Sequence, residues 1–337
     1  MKGVLQLIVK EIKIPKKLVK LEALLRRLPE NHVKRSQIED ELGKIRAGYS
    51  GEQSLQYYFD YLPKKEYSIL HNLRLFDGSH YFQIDFLLLS KKFILILEVK
   101  NMKGTLFFDH TFNQLIRTHN GKEEGFQDPM VQVSSHQVKL RKWLKTNKFS
   151  DIPIEYLVVV TNPNTIIKTN PNHQKAIYRV TRSSNLLAKV EQLENQYKDE
   201  RLSLKEIKKL TAQLLKQDTP LEQQVIEQYR INLSEIYTGV GCPKCGKYAM
   251  QRQNRSWFCS TCLHWAKNAH LVALQDYVLL IGTIVTNRAI REFLHLPTRF
   301  VANKLLLSLN LHSTGIKKGK VYTLPDLDIL QKLGENS

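Results

Sequence analysis

A chain of 337 residues with 42% hydrophobic side chains carries enough apolar material for two or three packed domains. Its 51 Lys and Arg against 32 Asp and Glu give a net charge of +19, the balance of a protein with a polyanionic partner or of a basic, solvated surface. No stretch reaches the roughly 18–20 apolar residues needed to span a bilayer. The first residues, "MKGVLQLIVKEIKIPKK", lack the sustained apolar run and small-residue cleavage site of a signal peptide. All four cysteines fall between Cys242 and Cys262, which argues against a distributed disulfide framework and suits a reducing cytoplasm.

In chain order, "KKLVKLEALLRRL" places Leu18, Leu21, Leu24, Leu25 and Leu28 at helical spacing. A second helix should follow and end at a glycine break at Gly48. Residues 1–47 thus read as a helical arm packed on the main domain; with no Trp or Phe on its apolar face, it does not resemble a membrane-surface helix. From 48 to 183 the pattern is mixed: a helix from about Ser50, strands near 67–75, 81–89 and 93–100, a helix over 129–147, then strands near 154–161 and 177–180. Several of these strands are apolar on both faces, so the expected class is α/β, a mixed central sheet flanked by helices. Residues 184–238, rich in Leu, Glu, Lys and Gln, read as a helical linker. The cysteine segment occupies 239–265, and a compact helical segment completes the chain over 266–337.

"QIDFLLLSKKFILILEVKN" sets Asp85, Glu98 and Lys100 inside an aliphatic stretch, where charges are expensive unless compensated. If strands 81–89 and 93–100 pair as a hairpin turning at Lys91 and Lys92, partner numbers sum to 183 and Asp85 faces Glu98, with Glu98 and Lys100 on one face. The two carboxylates would then lie within about 5.5 Å at Cβ, which destabilises a sheet. A divalent cation such as Mg²⁺ or Mn²⁺ reverses that penalty. An internal Asp85–Lys100 ion pair, with Glu98 at a frayed strand end, is the competing structural reading. Glu52 lies near a helix start, where a carboxylate also offsets the macrodipole. Gln132 and His136, four residues apart, share a helix face.

The arrangement resembles the PD-(D/E)xK nuclease superfamily, with its restriction-endonuclease-like core, and more narrowly the nuclease-related domain family, NERD. The resemblance rests on "AGYSGEQSLQYYF", "HYFQIDFLLLSKKFILILEVKNMKGTL" and "GFQDPMVQVSSHQVKLRKWL", and covers roughly residues 47 to 165. It implies catalytic roles for Glu52, Asp85, Glu98, Lys100 and Gln132, with Asp85 and Glu98 holding the metal for phosphodiester hydrolysis. Ile84 stands where the superfamily name has proline.

Two CxxC pairs, Cys242/Cys245 and Cys259/Cys262, separated by thirteen residues, have the spacing of a four-thiolate structural Zn²⁺ site and resemble a zinc ribbon. Downstream, "TNRAIREFLHLPTRFVANKLLLSLNL" reads as helix–turn–helix, capped at Thr286 or Asn287 and at Thr298. Ile290, Phe293 and Leu294 should face inward, while Arg299, Asn303 and Lys304 lie on the outer face of the second helix. "STGIKKGKVYTL" reads as a basic hairpin, the wing of a winged-helix-like domain, bringing Lys317, Lys318 and Lys320 to the same nucleic acid. Residues 241–337 hold 13 Lys and Arg against 5 Asp and Glu. The sequence therefore points to a cytoplasmic DNA-processing protein: a metal-dependent nuclease with a zinc-ribbon and helix-turn-helix targeting module. The alternative is a non-catalytic DNA-binding or regulatory protein with an inactive nuclease fold.

Overall fold

The computed structural model describes residues 8–63, 66–149, 151–316 and 319–325. The chain divides into two compact units, Met1–Ile14 with Lys44–Leu221, and Pro15–Gly43 with Glu222–Ser337. In chain order the strands of the first unit are β1 (Ile8–Lys10), β2 (Ser68–Phe76), β3 (Tyr81–Leu89), β4 (Ile94–Lys100), β5 (Thr105–Asp109), β6 (Gln114–His119), β7 (Lys122–Gln127), β8 (Ile154–Val160), β9 (Ile166–Thr169) and β10 (Val180–Arg182).

The main sheet has the order β1-β2-β3-β4-β8-β10. Strands β2, β3 and β4 form an antiparallel meander, and β8 and β10 continue it in parallel with β4. The sequence "ILILEV" explains why β4 is central. Ile94 and Ile96 enter one core, packed under the helices Pro129–Thr146 and Leu204–Gln217. Leu95 and Leu97 enter the other, packed under Leu55, Phe59 and the helix Leu186–Gln196. Each such buried side chain contributes about 1.5–3 kcal/mol, so a strand apolar on both faces belongs between two helical layers.

A smaller sheet, β7-β6-β5-β9, was not foreseen in the sequence. Its strands are short and partly polar; β7 is exposed along its whole length, so no hydrophobic alternation marks it. The strand expected at 177–180 is instead the end of helix Gln174–Arg179, and the strand proper is β10. The glycine break at Gly48 is absent too. Helix Arg35–Ser54 runs through it, its first residues counted with the second unit and its last with the first. A glycine inside a helix costs about 1 kcal/mol, and this twenty-residue helix carries three, Gly43, Gly48 and Gly51, without breaking.

Residues 184–238 do not form a linker. Leu186, Val190 and Leu193, then Ile207, Leu210 and Leu214, are core residues of the first unit, and the second unit resumes at Glu222. The N-terminal arm is not one body: Ile8–Lys10 forms β1 at the edge of the main sheet, paired with β2. Helix Lys16–Arg27 belongs to the second unit, where Arg27 is buried and its Nε donates to Asp276 Oδ2 at 2.9 Å. A guanidinium buried this deeply requires that carboxylate, and leucine periodicity alone could not reveal it.

In the second unit β11 (Met250–Gln253), β12 (Ser256–Cys259) and β13 (Trp265–Ala266) form a small antiparallel sheet. Helix Ala269–Leu280 follows, then β14 (Ile284–Thr286), the helices Asn287–Phe293 and Arg299–Ser308, and strands β15 (His312–Thr314) and β16 (Val321–Thr323). The last three strands pair in the order β14-β16-β15. Thr286 and Thr298 cap their helices as expected, accepting from Ala289 N and Val301 N. Ile290, Phe293 and Leu294 are buried. The cysteine segment and the helices share one core through Trp257, Leu271, Leu274 and Leu305, so 239–265 and 266–325 are not separate hydrophobic bodies. Among the described residues no helix is long and apolar enough to cross a membrane.

Candidate active site and metal centre

The hairpin register follows the sum of 183 from Leu89–Ile94 to Phe86–Leu97, and there the ladder stops. Asp85 and Glu98 would be the next pair. Instead the Asp85 carboxylate accepts from Val99 N at 2.8 Å, taking an N–H that a strand would otherwise bind. On the other side, Asn72 in β2 adopts φ 51° and the β2–β3 ladder skips the pair Asn72–Asp85. Leu70 and Leu73 both lie in the first core, as do Ile84 and Leu87, so the pleat is broken on both strands at this level. The sheet thus parts around Asp85, and its side chain fills the gap.

Glu98, one residue before the Val99 amide, is buried. Lys100 Nζ donates to Glu98 Oε1 at 2.7 Å, so the lysine pairs with Glu98 and not with Asp85. Gln132 stands in the first turns of helix Pro129–Thr146. Asp128 starts that helix by accepting from Met130 N at 2.7 Å, and Pro129 occupies its first position. Gln132 Oε1 lies 3.5 Å from Lys100 Nζ. His136, one turn on, packs its ring 6.0 Å from that of Phe82, and burial, then the charges of Lys139 and Lys100, holds it neutral with its pKa down to about 4.

Glu52 comes from the end of helix Arg35–Ser54. That helix is held close to the sheet: Asn101 Nδ2 donates to Ala47 O at 2.7 Å. A Cβ on Gly51 would stand 2.5 Å from Asn101 Cβ, so this approach requires glycine. Glu52 Oε2 bonds His71 Nε2 at 2.7 Å. His71 is absent from the residues expected above, although it carries the same signal as Asp85: a polar residue inside an aliphatic strand, "SILHNL".

Burial, followed by the charges of Glu98 and Glu52, pushes the Asp85 carboxyl well above the usual carboxylate range, with the Val99 N–H and Lys100 opposing. Burial likewise raises Glu98, against the pull of Lys100 and Gln132. These are carboxylates whose ionised forms the fold penalises, and oxygen donors of this kind match a hard divalent cation. The arrangement can collect positive charge between two strand ends, with a lysine beside it. Among the described residues, however, the three acids do not form a ready-made group of metal ligands.

The four cysteines do. Their sulfurs lie within 4.8 Å of one another, with Cys242–Cys262 at 3.6 Å and Cys245–Cys259 at 3.7 Å. A tetrahedron of thiolates with bonds of about 2.3 Å has edges of about 3.8 Å, so the donor set fits one metal ion. The two knuckles are alike: Gly246 N returns to Cys242 O and Leu263 N to Cys259 O, each from a left-handed residue.

In the same unit Arg299, Asn303 and Lys320 line a groove of about 460 Å³, together with Arg288 and Arg291, which sequence reasoning had left out. Lys304 stands apart from that groove, its Nζ 4.4 Å over the Phe300 ring. Lys317 and Lys318 lie outside the described residues.

Residues 47–161 match the family model of the nuclease-related domain, NERD. No curated protein matches the chain. The match points to a nuclease-related function and nucleic-acid binding for the first unit.

Proposed function

We propose that the protein is a metal-dependent deoxyribonuclease of the PD-(D/E)xK type, targeted by its C-terminal unit. The observation that carries this reading is the meeting of Asp85, Glu98, Lys100, Gln132 and Glu52 where β3 and β4 part, within the matched region. Asp85 and Glu98 would hold Mg²⁺ or Mn²⁺, which when bound supplies Lewis-acid activation of a phosphodiester and of a water. Lys100 places its ammonium beside the Glu98 carboxylate and stabilises negative charge developing on the phosphate. Gln132 orients the Lys100 ammonium, and Glu52, steadied by His71, adds a third carboxylate at the edge of the site.

The cysteine centre would carry structural Zn²⁺ as a zinc ribbon, its ligation supplementing a hairpin with little core of its own. Helix, strand, two helices and a hairpin, closed by the β14-β16-β15 sheet, support a winged-helix reading in which Arg299 and Asn303 face DNA, while Lys304 lies away from that groove over Phe300. Lys320 would meet phosphates. Four free thiols in one cluster suit a reducing compartment, and we place the protein in the cytoplasm. The Lys100–Glu98 ion pair, which ties up a ligand oxygen, favours a second reading: an inactive nuclease fold that only binds DNA.

Purified protein should cut DNA on addition of Mg²⁺ or Mn²⁺, and Asp85→Ala should abolish cutting while sparing binding. Equal cleavage by the variant would refute the assignment, and no cleavage by either with tight binding would establish the second reading. Elemental analysis should find one Zn²⁺ per chain, lost in Cys259→Ser.

A further inference from the structure

On the other side of helix Arg299–Ser308 from the arginine-lined groove lies a larger cleft of about 820 Å³, walled by the β11–β12 hairpin. Its rim carries Arg252, Arg255, Lys267 and Lys304, and no Asp or Glu lines it. Its floor is apolar, from Leu271, Leu305 and Leu309. Phe300 stands in it with 64% of its surface exposed, an unusual position for a phenylalanine on a polar helix face, and Lys304 covers its ring. Arg252 packs its guanidinium 5.2 Å from the Trp257 ring, yet its Nη1 is buried without a partner. Arg255 sits at the hairpin tip with φ 65°, a conformation a long side chain adopts at a cost.

A duplex backbone needs cations but offers nothing to an exposed aromatic ring or an apolar floor. An unstacked base needs both the ring and the cations beside it. We infer that this cleft binds a single-stranded DNA segment, stacking a base on Phe300 while Arg252, Arg255, Lys267 and Lys304 hold its phosphates. The ribbon hairpin is then a contact surface and not only a strut. The inference rests on the reading that the C-terminal unit binds DNA, and it adds a preference: the protein engages DNA where strands are already open, as at ends, gaps or branches.

The test uses the full-length, zinc-replete chain without added divalent cations, titrated by fluorescence anisotropy against a short oligo-dT, an abasic strand of equal length, oligo-rU and a blunt duplex. Oligo-dT should bind more tightly than the abasic strand. Phe300→Ala should weaken oligo-dT binding by about tenfold, the scale of one base–aromatic stack, and leave duplex binding unchanged. Phe300→Tyr should retain affinity, since it keeps the ring. Arg255→Ala should lower the salt slope for oligo-dT by roughly 0.7, one phosphate contact on a single strand. Equal binding of oligo-dT and the abasic strand, or no loss in Phe300→Ala, overturns the inference while leaving duplex targeting intact. Tighter binding of oligo-rU than oligo-dT overturns the assignment to DNA. Failure to bind any of the four probes refutes the targeting reading itself.

Discussion

Asp85→Asn separates the electrostatics of the proposed active site from its architecture. The amide keeps an oxygen for the Val99 N–H at 2.8 Å but removes a carboxylate that burial, Glu98 and Glu52 all disfavour. A carboxyl whose folded pKa is raised retains its proton in the native state after the unfolded chain has lost it. The Asp85 contribution to stability without metal therefore declines as pH rises from the unfolded value of about 4 through the raised folded one, and the wild-type-minus-variant difference should follow that decline. At neutral pH, in the absence of divalent cations, the variant should be at least as stable as wild type. Mg²⁺ should reverse the ranking. At a hundred times its dissociation constant, a ligand that binds only the native state adds about 2.7 kcal/mol. For a unit of 150–250 residues that is a rise of about 5–10 °C in melting temperature. Wild type should show this rise, larger at pH 8 than at pH 6 because binding requires the ionised carboxylates, and Asp85→Asn should show little of it. The assay is differential scanning fluorimetry across pH with and without Mg²⁺, paired with cleavage of a labelled strand. A variant markedly less stable than wild type without metal would refute the electrostatic reasoning. An undiminished Mg²⁺ shift would refute the placement of the metal.

Gly51→Ala should cost about 1–3 kcal/mol and reduce cleavage by displacing Glu52, because the new methyl meets Asn101 and Thr161. Gly48→Ala in the same helix meets nothing within 4 Å and should gain up to about 1 kcal/mol; paired denaturant melts distinguish the two. His270 is held neutral by burial and then by Arg252, its pKa down to about 4, while Trp257 Nε1 donates to its Nδ1 at 3.1 Å. Because the unfolded chain takes up that proton near pH 6.5, the His270 contribution to stability should be full above it and fall as pH drops toward 4, by up to about 1.4 kcal/mol per pH unit; the wild-type-minus-His270→Gln difference in pH-dependent urea melts should show this slope. Arg27→Ala should destabilise the protein by about 3 kcal/mol, the low end for a broken buried pair because Arg26 still reaches Asp276 at 2.7 Å. Equilibrium unfolding would show it, and a loss below 1 kcal/mol would mean that the pair is compensated elsewhere.

Local chemistry made part of this protein legible from its residues alone. The β3–β4 register follows from a short turn at Lys91 and Lys92 and two aliphatic strands, since a slip by one residue would turn every side chain to the wrong face. The threonine caps at 286 and 298 and the CxxC spacing are similarly short-range, each a matter of which atoms the backbone can reach within a few residues. Long-range decisions were not legible. Helix Lys16–Arg27 is amphipathic wherever it packs, and long-range partners such as the buried Asp276, some 250 positions away, assign it to the second unit. The helices at 186–217 read from composition as a linker, and the apolar faces of the sheet claim them as layers of the first unit. Strands β5, β6, β7 and β9 are four to six residues long and put only Leu106, Phe108 and Leu115 fully into the core, too short a pattern to mark a second sheet. At the candidate active site the sequence supplied the acids and the lysine. Only the tertiary structure decided that the ladder opens at Asp85, that Lys100 answers Glu98, and that His71 backs Glu52, because each depends on where three separate strands and a helix end in space.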